Sequence, residues 1–246
     1  MGYILKIIAY PLSVIYYLVF GLILAVFHPI QWLCLKVGGY NAHRICVAVM
    51  NLGLVRSLHI LGTKVSFKNN PNIPKNKPII FVANHQSLND IPAMIWFLRK
   101  HHPKFVSKKE LGKGIPSVSF NLKYGGSVLI DRKNSTQALK ALEEFGAFID
   151  ENNYSAVIFP EGTRSKDGVP KRFSTNGLKT MISNAPNALI VPITINNSYK
   201  FLKYNGFPML LGVHLKFKVH DPLGPEDFEL NELLQNVEST IKNTIA

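Results

Sequence analysis

The sequence predicts an α/β fold, with a mixed, mostly parallel central sheet flanked by helices and an apolar helical segment before it. After Gly62, short runs of apolar and β-branched residues alternate with stretches of helical spacing, which is typical of strands connected by covering helices. The first 61 residues are mostly apolar and contain no acidic residue. We therefore expect helices over residues 1–61 and an α/β domain over residues 62–246, a division that a chain of this length allows.

The N-terminal segment has the composition of a membrane anchor. From Ile7 to Leu35 there is no Asp, Glu, Lys or Arg, and a membrane span needs about 20 residues of helix. Two prolines and a histidine interrupt this run, and the second apolar segment, Ile45 to Leu61, contains Arg56, as an interfacial amphipathic helix would. A span and a pair of helices in one leaflet both fit. A cleaved signal peptide fits less well, because no small-residue cleavage site follows the run.

The charge distribution favours a lipid surface over a nucleic acid. The net charge is +13 and the pI about 9.7, values typical of proteins that meet nucleic acid, anionic lipid or acidic carriers. The first acidic residue is Asp90, and the basic residues do not interleave with a recognisable stacking platform. We expect membrane lipids as partners and no nucleic acid, with the basic domain on the cytoplasmic side. Cys34 and Cys46 lack metal-ligand or disulfide spacing and are expected to be reduced packing residues.

Short β-branched and aromatic runs predict seven strands, with a loop at residues 69–74 where the α/β domain begins. The strands are Val65–Lys68, Ile79–Ala83, Lys104–Ser107, Gly126–Ile130, Ala156–Phe159, Leu189–Ile195 and Val213–Val219. Helices are predicted at Ile91–Leu98, where the early proline suits the first turn, around the periodic residues Leu139, Leu142, Phe145 and Ile149, and at Glu226–Ile245.

A histidine and an aspartate flank the junction between the strand Ile79–Ala83 and the next helix. His85 and Asp90 are five positions apart, which is about 500° of rotation on a continuous helix, but across a turn their side chains can converge. A carboxylate that orients an imidazole makes a general base. Alternatively, Asp90 caps the helix and His85 is a satisfied loop histidine.

Two further blocks end predicted strands with charged residues. Gly125 to Arg132 ends in an arginine that could hold a phosphate through paired hydrogen bonds, or could pair with Asp131 at the surface. In Phe159 to Ser165, Gly162 allows backbone N–H groups to approach an anion, and Thr163 and Arg164 add donors. An ordinary polar loop is the alternative for this block. A fourth block, Val191-Pro192-Ile193, has no reactive group.

In this order, the four blocks resemble the lysophosphatidic acid acyltransferase (1-acyl-sn-glycerol-3-phosphate acyltransferase) family, membrane-bound enzymes of glycerophospholipid synthesis. The resemblance covers residues 78–195 and includes Lys108 to Leu111 with Ile115-Pro116, which look like the family's linker between the first two blocks. One departure is visible after the third block. Typical members have Phe-Lys-x-Gly there, whereas residues 173–177 read Phe-Ser-Thr-Asn-Gly.

The resemblance implies transfer of an acyl group from acyl-CoA or acyl carrier protein to the sn-2 hydroxyl of lysophosphatidic acid, giving phosphatidic acid, without a metal or other cofactor. His85 would be the base and Asp90 its orienting acid. The residues implied to bind substrate are Arg132, Glu161, Gly162, Thr163, Arg164 and Lys108. Glu161 would hydrogen-bond a substrate hydroxyl or orient Arg164. Lys108 belongs to a basic cluster that would contact lipid headgroups or the phosphates of CoA; its other members are Lys100, His101, His102, Lys104 and Lys109.

The sequence also allows alternatives to this mechanism, to this acceptor and to an enzymatic function. Ser87 is a poor candidate nucleophile, because no oxyanion-elbow sequence surrounds it. Another lysophospholipid, or an amino-acid-derived lysolipid, could replace the acceptor. A non-enzymatic membrane-binding protein would explain the charge and the apolar segments, but it would not explain four blocks in one order.

Overall fold

A single seven-stranded sheet organises the computed structural model, which describes residues 2–70 and 72–246. The strands are β1 (Lys64–Lys68), β2 (Ile79–Ala83), β3 (Pro103–Lys108), β4 (Val128–Ile130), β5 (Ser155–Ile158), β6 (Leu189–Asn196) and β7 (His214–Val219). Their order is β1-β7-β6-β2-β5-β3-β4. The five strands from β6 to β4 are parallel, whereas β7 is antiparallel to β6 and parallel to β1. This confirms the predicted mixed, mostly parallel α/β sheet.

Helices cover both faces of the sheet. They are α1 (Tyr3–Ser57), α2 (Asp90–Phe97), α3 (Val118–Tyr124), α4 (Ser135–Asn152), α5 (Thr175–Ser183) and α6 (Leu230–Lys242). One core cluster joins α1 and α2 to the face that carries Phe81 and Ile193, and the other joins α4, α5 and α6 to the face that carries Val82 and Ile190. Burial of apolar side chains on both faces is the usual reason that a mainly parallel sheet is stable.

The long helix α1 is a hairpin of two limbs, residues 3–38 and 40–57. The helix breaks at Gly39, whose φ of 68° and ψ of −165° suit glycine. The limbs pack against each other, with Leu24 in one cluster with Met50 and Leu54, and Gln31 Nε2 donating to Met50 Sδ at 3.2 Å. The prolines expected to interrupt the first limb lie inside it instead, at positions 11 and 29. The break lies between the two predicted apolar segments, residues 7–35 and 45–61, as the alternative of two helices requires; its exact position at Gly39 was not predicted.

The hairpin is docked on the domain and still presents a large apolar surface. Tyr16 and Val55 of the hairpin are buried in the main core, whereas many aliphatic and aromatic side chains of α1 point outward. Among the described residues, this is the one helix long and apolar enough to cross a membrane by length and composition. Those properties agree with the predicted membrane association.

The differences from the predicted elements have local causes. The strand expected from Gly126 starts at Val128, because Gly126 has a φ of +80°, outside the β region. The last helix starts at Leu230 and not at Glu226, since Pro225–Asp227 forms a short 3₁₀ turn. The predicted loop at 69–74 includes Pro71, which lies outside the described residues. Cys34 and Cys46 are both free thiols.

Candidate active site

The functional blocks gather at one edge of the sheet, where the parallel strands have their carboxyl ends. β2 ends two residues before His85, β5 ends three residues before Glu161, and β4 ends two residues before Arg132. Because neighbouring parallel strands end at the same edge, these residues share one surface, which is the usual location of ligand sites in such sheets.

His85 and Asp90 form a hydrogen-bonded pair. His85 Nδ1 lies 2.8 Å from Asp90 Oδ2, and the same oxygen accepts the backbone N–H groups of Gln86 at 2.8 Å and Ser87 at 2.9 Å. Asp90 is fully buried, while the His85 side chain is 16% exposed and stacks on Phe159 with ring centroids 4.3 Å apart. A carboxylate held in this way keeps the proton of a neutral imidazole on Nδ1, which leaves Nε2 as the basic nitrogen.

Asp90 does not cap helix α2, which was the alternative role expected for it. Asp90 is the first residue of α2, and its carboxylate oxygen bonds the turn that precedes the helix. The N-cap residue is Asn89, whose side chain makes no capping bond and instead accepts from the Tyr16 hydroxyl at 2.8 Å.

Glu161 connects two stretches of backbone beneath this pair. Its Oε1 accepts the backbone N–H of His85 at 2.7 Å, and its Oε2 accepts that of Lys171 at 2.8 Å. The residue is 8% exposed, and burial raises the pKa of Glu161, an effect that both backbone hydrogen bonds oppose. Within residues 2–70 and 72–246, no hydrogen bond or ion pair joins Glu161 to Arg164. Of the two roles expected for Glu161, the orientation of Arg164 is therefore not what the geometry shows.

The turn after β5 is tied to the His85 loop at a second point, where Ser165 N donates to the His85 carbonyl at 2.8 Å. Gly162 adopts a φ of +67° in this turn, and no neighbouring atom fills the space beside its Cα. Thr163 and Arg164 are both exposed. These two polar side chains of the turn therefore lie on the same solvent-exposed surface as the imidazole.

Cationic side chains reach the same edge from β3 and β4. Arg132 donates from Nη1 to the Gly162 carbonyl, and Asp131 accepts the backbone N–H of Lys133 at 2.9 Å instead of pairing with Arg132. Lys108 ends β3, lies opposite Ile130 of β4 in register, and is exposed. The structure therefore brings Arg132 to the glycine turn and places Lys108 on the neighbouring strand.

Several amide and hydroxyl groups that the sequence did not reveal hold the His85 loop. Asn84 exchanges two hydrogen bonds with the backbone of Ile195, at 2.8 and 2.7 Å. Gln86 Oε1 accepts the N–H of Ser198 at 2.9 Å, and the buried hydroxyl of Ser87 pairs with that of Ser198. These bonds clamp the loop to the end of β6. They also commit the Ser87 hydroxyl to a structural contact.

A cavity of about 340 Å³ lies between the second limb of α1, the end of α2 and the start of β3. Its wall is mostly apolar but includes Lys104, which is 2% exposed and donates to the Tyr40 hydroxyl, to His102 Nε2 at 3.1 Å and to the Gly125 carbonyl at 2.6 Å. Burial lowers the pKa of Lys104 to about 8. Lys104 was expected in a surface cluster with Lys108, and its burial corrects that expectation.

In the part of the chain that the structure describes, no three His, Cys, Asp or Glu side chains are arranged to hold a metal ion.

Comparison with known proteins gives one consistent result. The family model described as Acyltransferase matches residues 64–196. A probable 1-acyl-sn-glycerol-3-phosphate acyltransferase of Mycoplasma genitalium is 35% identical over 202 residues, which are 76% of this chain and 72% of that protein. The 1-acyl-sn-glycerol-3-phosphate acyltransferase of Helicobacter pylori is 35% identical over 133 residues, which are 53% of this chain and 52% of that protein. The chain thus spans about half the length of some curated relatives.

A solved structure shows the same fold over nearly the whole chain. The crystal structure of PlsC, the 1-acyl-sn-glycerophosphate (LPA) acyltransferase of Thermotoga maritima, superposes with a TM-score of 0.78 at 26% identity. The superposition covers 94% of this chain and 92% of that one.

Proposed function

Because the chain belongs to the acyltransferase family, we propose that it transfers a fatty acyl group from a thioester to the sn-2 hydroxyl of lysophosphatidic acid and so forms phosphatidic acid. The observation that carries the proposal is the His85–Asp90 pair, held at 2.8 Å beside the glycine turn of residues 159–165. The relatives' names, 1-acyl-sn-glycerol-3-phosphate acyltransferases, support this acceptor.

The pair supplies a base for direct acyl transfer. In this proposal, Nε2 of His85 takes the proton of the acceptor hydroxyl while the hydroxyl oxygen attacks the thioester carbonyl carbon. The tetrahedral intermediate then collapses, the carbon–sulfur bond breaks, and the leaving thiolate takes the proton from the imidazolium. The buried Asp90 carboxylate stabilises that imidazolium. No acyl-enzyme is required, which agrees with the buried, paired hydroxyl of Ser87.

The glycine turn supplies candidates for holding negative charge. The N–H of Gly162 is committed to the Phe159 carbonyl at 3.1 Å, whereas those of Thr163 and Arg164 have no hydrogen-bond partner among the described residues. We assign these two N–H groups to the oxyanion of the intermediate. Arg132 and Arg164 would bind the phosphate, because guanidinium groups match phosphate oxygens in pairs, and the ammonium group of Lys108 would add a positive charge. Glu161 would position the turn and His85 without touching the substrate.

The apolar cavity is the proposed site for the distal part of an acyl chain. Helix α2 starts at Asp90, and its eight residues extend about 12 Å toward the wall that Ile95 and Trp96 contribute. A chain that starts at the imidazole and follows α2 would reach the cavity between α2 and the hairpin. Mostly apolar walls with few polar groups are typical of such ligand sites.

The hairpin would bring the site to the bilayer from the cytoplasmic side, with residues 1–61 as anchor and 62–246 as catalytic domain. Contacts with the domain recur along the first limb, from Tyr10 on Phe207 and Ser13 at the N–H of Met209 to His28 at the N–H of Ser117. These contacts leave no run of about 20 residues free to cross a hydrocarbon core. We therefore propose that both limbs lie in one leaflet.

An assay of the purified protein tests this function. Lysophosphatidic acid, other lysophospholipids, an amino-acid-derived lysolipid and monoacylglycerol would each be offered with acyl-CoA and with acyl carrier protein as donor. We expect transfer to lysophosphatidic acid to dominate, because cationic side chains face the acceptor site. A folded, membrane-bound protein that acylates none of these acceptors from either donor would contradict the proposal and favour a non-enzymatic role.

A further inference from the structure

The outer two strands of the sheet form a basic surface that the proposed chemistry does not use. In the parallel register of β1 and β7, Lys64 lies opposite His214, Ser66 opposite Lys216, and Lys68 opposite Lys218. Successive residues of a strand point to opposite faces, so these six side chains share one face while Val65, Phe67, Leu215 and Phe217 point to the core. We call the basic face formed by Lys64, Lys68, His214, Lys216 and Lys218 the lysine ribbon.

The lysine ribbon carries uncompensated charge. All four lysines are exposed, and no ion pair involves any of them in the ranges 2–70 and 72–246. The acid that follows β7, Asp221, accepts instead from the amide of Asn70 at 2.8 Å. Partial burial, with the charges of Lys216 and Lys64, lowers the pKa of His214. Like charges directly opposite each other destabilise a sheet, so this arrangement is an energetic cost that folding does not explain.

Protection of the sheet edge explains only part of the ribbon. Lysines on an edge strand prevent pairing with other chains, and β1 is an edge strand. Lys216 and Lys218 lie on β7, however, which is paired on both sides by β1 and β6. The charge on β7 therefore needs another reason.

The ribbon faces away from the apolar hairpin and ends near the candidate active site. The opposite face of β1 and β7 packs in the core cluster that contains Tyr16 and Val55 of the hairpin, so a bilayer that holds the hairpin lies on the other side of the sheet. At the near end, the Asn197 side chain donates to the His214 carbonyl at 2.9 Å, and the adjacent Ser198 bonds Gln86, the neighbour of His85. Strands β7 and β2 are two sheet positions apart, about 10 Å.

The geometry points to the lysine ribbon as the docking surface for an acidic protein that carries the acyl thioester, that is, an acyl carrier protein. This inference rests on the proposed acyl transfer and adds the nature of the donor. Five residues of strand make a surface about 13 Å long, which suits an acidic helix better than the compact phosphates of CoA. Complementary charge would guide the carrier to the ribbon, with its thioester arm directed toward His85.

Charge reversal tests the inference with two donors. The double variant Lys216→Glu/Lys218→Glu would be compared with the matched variant Lys75→Glu/Lys77→Glu. The matched variant makes the same charge change at two exposed lysines that precede β2, at the strand ends away from the candidate active site. We expect the apparent KM for the acylated carrier protein to rise about tenfold or more in the ribbon variant, with the KM for acyl-CoA unchanged. The matched variant should use both donors as the wild type does. Lys216→Gln/Lys218→Gln should give an intermediate effect.

Other outcomes would contradict the assignment of the lysine ribbon to a carrier protein, or the proposed function itself. Equal KM values in the wild type and the ribbon variant, or an equal rise with both donors, would overturn the carrier assignment. Loss of binding to vesicles of anionic phospholipid, with the carrier KM unchanged, would assign the ribbon to a lipid surface instead. If the wild type transfers no acyl group from either donor, the proposed function fails. In that case, binding of fluorescently labelled carrier protein that is the same in the ribbon variant as in the wild type would separately refute the carrier assignment. Circular dichroism spectra would verify that each variant folds.

Discussion

The Oε1 atom of Glu161 accepts the backbone N–H of His85 at 2.7 Å, so a carboxylate from the end of one strand fixes the main chain at the proposed base on the next. Its other oxygen holds the N–H of Lys171, ten residues further along the chain. A single buried side chain therefore sets the position of the imidazole relative to the glycine turn. We assign Glu161 a positioning role on this basis.

Substitution of Glu161 by Gln separates positioning from folding. The amide group leaves one of the two backbone N–H groups facing another donor, and an unsatisfied buried N–H costs about 1–3 kcal/mol. We expect kcat to fall about tenfold or more while the KM of the thioester donor stays within about twofold, because the donor's binding groups are elsewhere. Glu144→Gln, an exposed change on α4, is the control. Equal kcat in the two variants would remove the positioning role.

The base assignment predicts a larger and different loss at His85. His85→Ala should lower kcat by about 10²- to 10⁴-fold, the usual contribution of a general base, with folding and membrane binding unchanged. Asp90→Asn keeps an oxygen for the backbone N–H groups of Gln86 and Ser87 but removes the negative charge. The decrease in kcat should therefore be smaller than in His85→Ala. Steady-state rates with saturating lysophosphatidic acid measure both. Turnover near the wild-type rate in His85→Ala would show that another group takes the proton.

The sequence predicted the central strand β2 well because the strand is short and fully apolar. Ile79–Ala83 is buried at every position, and such runs of β-branched residues have few alternatives to a central strand. The sequence allowed both a continuous span and two helices, so the exact position of the turn at Gly39 could not be predicted. Its position depends on contacts such as Gln31 with Met50, which lie 19 residues apart.

The residue types of the site and the pairing of His85 with Asp90 could be predicted, whereas the other hydrogen-bond partners could not. The spacing of His85 and Asp90 allowed convergence but could not exclude a cap, since both depend on the turn between them. Glu161 was expected near substrate, and its two backbone partners are 76 and 10 residues away. Lys104 looked like a surface lysine because nothing in the local pattern indicates that the second limb of α1 covers it.

Arg132 is predicted to act through the acceptor phosphate. Hydrogen bonds to charged groups contribute about 1.5–3 kcal/mol, so Arg132→Ala should raise the KM for lysophosphatidic acid about 10- to 100-fold. The KM for a monoacylglycerol, which lacks the phosphate, should be unchanged. Lys133→Ala removes one positive charge at the next position and serves as the control. A parallel rise with both acceptors would show that the contact of Arg132 with Gly162 shapes the turn and does not bind phosphate.

The hairpin predicts that its start and its end lie on the same side of a membrane. In a background with Cys34→Ser and Cys46→Ser, cysteines introduced at Gly2 and at Lys64 should both react with a membrane-impermeant reagent added to one side of sealed vesicles. The reason is that the first limb stays in contact with the domain, from Tyr10 to His28. Labelling of the two positions from opposite sides would show a span and contradict the one-leaflet arrangement.

Lys104 predicts an unusual dependence of stability on pH. Burial lowers its pKa from 10.5 to about 8, so between these values the unfolded chain binds more protons than the folded one. Stability therefore rises as the pH increases through this window, because the folded lysine becomes neutral before the unfolded one does. Lys104→Met removes this contribution. We expect the Tm of the wild type to increase relative to that of Lys104→Met between pH 7 and pH 10. The difference in Tm between the wild type and Lys75→Met, a change at an exposed position, should stay constant over the same range. A constant difference between wild type and Lys104→Met would mean that Lys104 stays charged in the folded protein, stabilised by the Tyr40 hydroxyl and the Gly125 carbonyl.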